Sequence, residues 1–108
     1  MEYRRLGNSG LEVSVVGLGT NNFGGRMDAK QTDDVIKKAI DEGINMIDTS
    51  NSYGRTLSEE YIGKSVKDVR DQVLLATKSG GKVGEGPNQR GASRIHIMAQ
   101  VEMSLRRL

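Results

Sequence analysis

The sequence predicts a parallel α/β fold, and three observations carry the prediction. Apolar, strand-like runs alternate with segments of helical periodicity. Val15, Ile44 and Val73, one in each of three such runs, lie 29 residues apart each time, a spacing that suits β-α-β crossovers. Glycine supplies 14 of the 108 residues, near twice the usual share of about 7%. The glycines fall at element ends and in two clusters, Gly24-Gly25 and Gly80 to Gly91, as tight turns require.

Taken in order, residues 3–16 read as two short extended pieces around Gly7-Asn8-Ser9-Gly10, a small hairpin. Val15-Val16-Gly17-Leu18-Gly19 has no polar face and reads as a strand covered on both sides. Asp28 is the candidate N-cap of the first helix, answered by Gln31 in a capping box. Val35, Ile36, Ala39 and Ile40 form its inner face, opposite Asp33, Asp34, Lys37, Lys38 and Asp41. Gly43 closes it.

Ile44 to Asp48 is the next strand. A second helix is expected from Ser58, with Glu59 and Glu60 in the first turn at the positive end of its dipole, and Ile62, Val66 and Val69 inward. Val73 to Thr77 is a third buried strand, and a polar, glycine-rich loop spans 79–92. Ser93 caps a third helix with apolar positions at Ile97, Val101, Leu105 and Leu108. His96, in its first turn, reads as a surface or interface histidine.

Three such units leave two open sheet edges and more apolar strand surface than three helices cover. The sequence therefore reads as part of a larger layout. A closed (β/α)8 barrel needs about 250 residues, of which this chain would supply the hairpin and the first three units. Unpaired edges also predict self-association.

Composition narrows the function. Sixteen Lys and Arg against fourteen Asp and Glu give a net charge of +2, too even for a dedicated nucleic-acid or membrane-surface binder. The absence of cysteine excludes disulfides, thiolate metal sites and cysteine nucleophiles. One histidine cannot build an all-histidine zinc site, and no metal site is expected. No apolar run approaches the roughly 20 residues that span a bilayer. Met1-Glu2-Tyr3-Arg4-Arg5 lacks a secretory pattern, so cytoplasm is the expected compartment.

Two glycine motifs fail on inspection. Gly17-Leu18-Gly19 follows a strand, but the dinucleotide fingerprint needs glycine at position 22, which is Asn22. Gly63-Lys64-Ser65 matches the end of a P-loop, but Ser58 stands where the first glycine belongs, inside a helix.

The polar residues at the strand ends say more. Asp48 ends the second strand, Tyr53 follows in the connecting loop, and Lys78 ends the third. In parallel α/β folds such positions converge on one face, with neighbouring strands about 4.8 Å apart. The plain alternative is a strand-end ion pair beside a surface tyrosine. The chemical reading starts from a phenol whose ordinary pKa is near 10. A nearby ammonium favours the phenolate, and a carboxylate holds that ammonium charged and in place. Such a tyrosine exchanges a proton with a developing alkoxide. The partner step is hydride transfer, for which no side chain serves and a nicotinamide cofactor is required.

These residues resemble the aldo-keto reductases along nearly the whole chain. The resemblance rests on Tyr3-Arg4-Arg5-Leu6-Gly7, Ser9-Gly10-Leu11, Gly17 to Thr20, Gly43-Ile44-Asn45, Asp48-Thr49, Tyr53-Gly54, Ser58-Glu59-Glu60, Ala76-Thr77-Lys78 and Ser104 to Leu108. Asn22 to Arg26 and Arg90 to Ile97 are similar to the bacterial branch related to potassium-channel β subunits. The resemblance implies a TIM barrel whose floor is closed by the hairpin, with residues 1–108 the N-terminal part of one oxidoreductase domain. It implies NADP(H)-dependent reduction of small-molecule aldehydes and ketones, with Tyr53 as general acid tuned by Lys78 and Asp48. Gly19, Thr20, Asn21 and Asp48 would lie at the nicotinamide end of the cofactor, with Arg26 also reaching it. The family's catalytic histidine belongs to a fourth strand beyond Leu108 and is not His96. Residues 1–108 alone are therefore expected to bind NADPH weakly and to be inactive. Two rival readings are a nicotinamide-sensing regulatory subunit similar to the channel β subunits and an inactive truncated product.

Overall fold

A computed structural model describes all of residues 1–108. The chain opens with an antiparallel hairpin, β1 (Tyr3–Arg5) and β2 (Glu12–Ser14), paired in the register Tyr3 with Ser14 and Arg5 with Glu12. A separate parallel sheet runs in the order β3 (Leu18–Gly19), β4 (Met46–Asp48), β5 (Leu74–Ala76). Helix α1 (Ala29–Asp41) links β3 to β4, α2 (Leu57–Ser65) links β4 to β5, and α3 (Arg94–Arg107) follows β5.

Local chemistry sets the bounds of α1. The Asp28 carboxylate accepts from the Gln31 amide while the Gln31 side chain accepts from the Asp28 amide, the capping box the sequence predicts. At the other end Gly43 takes φ +86°. Its amide donates to Ile40 O and that of Ile44 to Ala39 O, a Schellman closure. Lys30–Asp34 and Lys37–Asp33 pairs line the solvent side.

The core is one cluster of Phe23, Ile36, Ile47, Ile62, Val66 and Val73, in which α1 and α2 meet each other and the sheet. Burial of side chains of this size stabilises by about 1.5–3 kcal/mol each. The hairpin is tied to the sheet's amino-terminal end. Tyr3 Oη donates to Gly43 O at 2.8 Å, and Asn45, just ahead of β4, bonds both Ser14 and Glu12. The opposite, carboxyl-terminal end carries none of these hairpin bonds.

The structure corrects five expectations. The run from Val15 is a strand only at Leu18–Gly19, because Val15 and Val16 lie outside the parallel pairing and stay half-exposed. Helix α2 begins at Leu57, one residue earlier than expected, after a left-handed Thr56 whose hydroxyl donates to Glu60 Oε1 and makes no cap bond to the backbone. Val69 has left the helix for a kinked 3-10 segment. His96 is buried, 2% exposed. Its Nδ1 donates to Asn88 O at 3.1 Å and ties the 79–92 loop to α3. Lastly, Ile97, Val101 and Leu105 are exposed, Leu105 at 73%. Helix α3 meets α2 through Ser104 and Arg107, which bond a buried acid. No helix is long and apolar enough to cross a membrane.

Candidate active site

Parallel register places the strand ends side by side: Gly19 opposite Asp48, and Asp48 opposite Ala76. The pairing continues past the strands. Thr49 N donates to Ala76 O at 2.8 Å and Asn51 N to Lys78 O at 3.2 Å. The backbone of Lys78 is thereby fixed beside that of Asp48. Lys78 Nζ donates to Asp48 Oδ2 at 2.6 Å and to Thr49 O at 2.9 Å. It also stands 5.3 Å from the centroid of the Tyr53 ring, within cation–π range. Asp48, Tyr53 and Lys78 therefore meet, at the end of the sheet away from the hairpin.

The Lys78 ammonium is held above its ordinary pKa. The Asp48 hydrogen bond is the main cause; partial burial opposes it, and the Asp48 charge and Tyr53 add to it. Both members of the pair are about half exposed, so the ammonium is charged yet open to an incoming molecule.

Tyr53 is delivered by an unusual turn. Gly54, Arg55 and Thr56 all have positive φ, of 57°, 55° and 81°. For threonine this is a strained state costing about 1–3 kcal/mol. Two contacts accompany the turn. A side chain at Gly54 would meet Phe23 O at 2.7 Å, so only glycine lets the turn lie against that backbone. Thr56 Oγ1 also donates to Glu60 Oε1 at 2.7 Å.

Among the residues nominated for a cofactor, Gly19 is exposed and no atom lies within 4 Å of where a Cβ would stand. The floor beside Asp48 is thus open to a flat ring, and its one carboxylate is neutralised by Lys78. The residues fit the nicotinamide end of a dinucleotide. Asn21 and Arg26 are exposed, and Arg26 makes no ion pair. Thr20 differs: it is buried, and its hydroxyl donates to Asp48 O at 2.9 Å, so it lies beneath the floor rather than on it.

Sequence reasoning missed Glu59. It is wholly buried and accepts from Thr77 Oγ1, Ser104 Oγ and Arg107 Nη1 at 2.6–2.7 Å. A glutamate in a helix's first turn ordinarily faces water. The one available signal was the presence of hydroxyl and guanidinium partners far along the chain, which sequence distance conceals.

A parallel sheet with its polar constellation at the carboxyl ends of the strands defines a parallel α/β protein of the barrel or doubly wound kind. Comparisons agree. The sequence model of the Aldo/keto reductase family matches residues 15–108. Aldo-keto reductase YhdN of Bacillus subtilis is 43% identical over all of this chain and 34% of its own length. A probable voltage-gated potassium channel subunit beta of Arabidopsis thaliana is 34% identical over the same shares. The holo form of an aldo-keto reductase from Bacillus halodurans superposes on the whole chain with a TM-score of 0.89 and 34% identity, over 36% of that structure. The chain belongs to the aldo/keto reductase family of oxidoreductases, and its fold is part of that family's TIM barrel. It spans about a third of the length of the curated relatives it matches.

Proposed function

We propose that this chain forms the nicotinamide-facing part of the site of an NADP(H)-dependent reductase of small aldehydes and ketones, acting in the cytoplasm. The observation that carries the reading is the Lys78 ammonium, bonded to Asp48 and facing the Tyr53 ring. NADPH, when bound, supplies the hydride that the carbonyl carbon accepts. Gly19, Asn21 and Asp48 would line the nicotinamide, with Thr20 supporting them from below and Arg26 offering a cation to a phosphate.

Tyr53 gives its hydroxyl proton to the carbonyl oxygen, which completes the alcohol. The phenolate left behind faces the Lys78 ammonium, whose charge stabilises it. Asp48 keeps that ammonium protonated and aimed. Tyr53 then recovers a proton from water through the open face. In keeping with the share of its relatives that the chain spans, residues 1–108 are read as the N-terminal part of one such domain.

The test is turnover of NADPH with aromatic and aliphatic aldehydes by the full-length protein carrying this sequence. Tyr53→Phe is expected to lower turnover by about 100-fold or more while cofactor binding, followed by nucleotide fluorescence, persists. Turnover untouched by Tyr53→Phe would overturn the assignment. The likeness to channel β subunits supports a second reading, in which the cofactor is sensed rather than consumed. Tight cofactor binding without turnover of any aldehyde would favour it.

A further inference from the structure

We propose that Ser58 and Glu59, adjacent in the first turn of α2, act as a positioning pair that sets the Lys78–Asp48 geometry. Together they bond the chain just beyond all three strands of the parallel sheet. This rests on the proposed function only for the use made of Lys78; the geometry itself is independent of it.

The Ser58 half is a chain of buried hydroxyls. Thr20 Oγ1 has one proton and spends it on Asp48 O at 2.9 Å. Ser58 Oγ lies 3.2 Å from Thr20 Oγ1 and 3.3 Å from Thr20 O, so its proton goes to Thr20. Thr49 Oγ1, 2.9 Å from Ser58 Oγ, is then left as the donor to Ser58. The order is unique because each hydroxyl donates once. It locks the residues after β3 and β4 together around the Asp48 carbonyl.

The Glu59 half holds β5. Glu59 Oε1 accepts from Thr77 Oγ1 at 2.6 Å, and Thr77 is the residue next to Lys78. Thr77 lies at the exposed end of the sheet, and this bond anchors it to a wholly buried carboxylate. Glu59 is itself immobilised by Ser104 and Arg107 of α3. A buried carboxylate with three donors is a rigid fixture, because loosening any one exposes a charge to apolar surroundings. Residues 58 and 59 also follow the strained turn that presents Tyr53. One helical turn thus references Asp48, Tyr53 and Lys78 to a common frame.

The test reads Lys78 directly. The Lys78 Cε resonance is titrated by NMR in the full chain, free of cofactor, alongside thermal unfolding. Thr77→Val removes the bond to Glu59 while keeping shape; the Lys78 midpoint is expected to fall towards that of a free lysine. Thr77→Ser is expected to restore it. Ile36→Val, a generic core truncation remote from Thr77 in sequence, is the matched control for lost stability and should leave the midpoint in place. Glu59→Gln should fall with Thr77→Val wherever it folds. The proposal is overturned by a folded Thr77→Val with the wild-type midpoint, or by an Ile36→Val shift of equal size. Absence of reductase turnover would count against the proposed function and leave this result standing.

Discussion

Replacing Arg107 with methionine isolates the energetics of the buried acid. In the native chain Glu59 has no exposed surface and the Arg107 side chain is 17% exposed, with Nη1 2.7 Å from Oε2. An exposed ion pair contributes about 0–1 kcal/mol. Removing one partner of a buried pair costs about 3–5 kcal/mol, since the other charge is stranded. Glu59 keeps its two hydroxyl donors on Oε1, which places Arg107→Met at the low end, about 3 kcal/mol. The loss is read as a fall in unfolding free energy, because the accompanying Tm shift shrinks as the unfolding domain grows. Urea unfolding of Arg107→Met, Glu59→Gln and the double variant completes a cycle. The double variant should be more stable than Arg107→Met, because no charge is left unpaired. A loss below about 1 kcal/mol for Arg107→Met, with no recovery in the double variant, would show that the pair behaves as a surface bridge and refute the reasoning.

Glycine substitutions should separate sharply. A Cβ at Gly63 would lie 1.8 Å from Arg107 O, so Gly63→Ala must push α3 off α2; despite a helix-propensity gain of about 1 kcal/mol, net destabilisation of about 1–2 kcal/mol is expected in urea unfolding. Gly10→Ala meets nothing within 4 Å and should be neutral. For pH, the raised Lys78 value means that folding stabilises the protonated form. That contribution is complete below the ordinary lysine value of about 10.5 and is lost as pH rises through the folded value. The stability gap between wild type and Lys78→Met should therefore be flat through neutral pH and shrink above about 10.5, and it should be small because the pair is half exposed. A gap that widens at high pH would contradict this.

Much of the architecture was legible because its causes are local. The Asp28–Gln31 capping box, the Gly43 closure, the Ser93 cap and the hairpin around Gly7 to Gly10 each depend on a few neighbouring residues. Even the meeting of Asp48 and Lys78 was legible, because parallel register brings strand ends together, whereas Tyr53 reaches them through the positive-φ turn at 54–56. The misreadings share a different cause. Periodicity assigned the face of α3 to a core, yet its buried residues are His96 and Ser104, whose partners are Asn88 and Glu59.

Sequence alone determined the order of strands and helices, the caps of α1 and α3, and which strand-end side chains gather at the carboxyl end of the sheet, since each follows from short-range preference or from a fixed repeat. Tertiary structure decided what lies beneath that end. Whether Glu59 faces water or sits walled in by Thr77, Ser104 and Arg107 depends on partners 18 to 48 residues away, and desolvation is a property of the assembled neighbours rather than of any residue type.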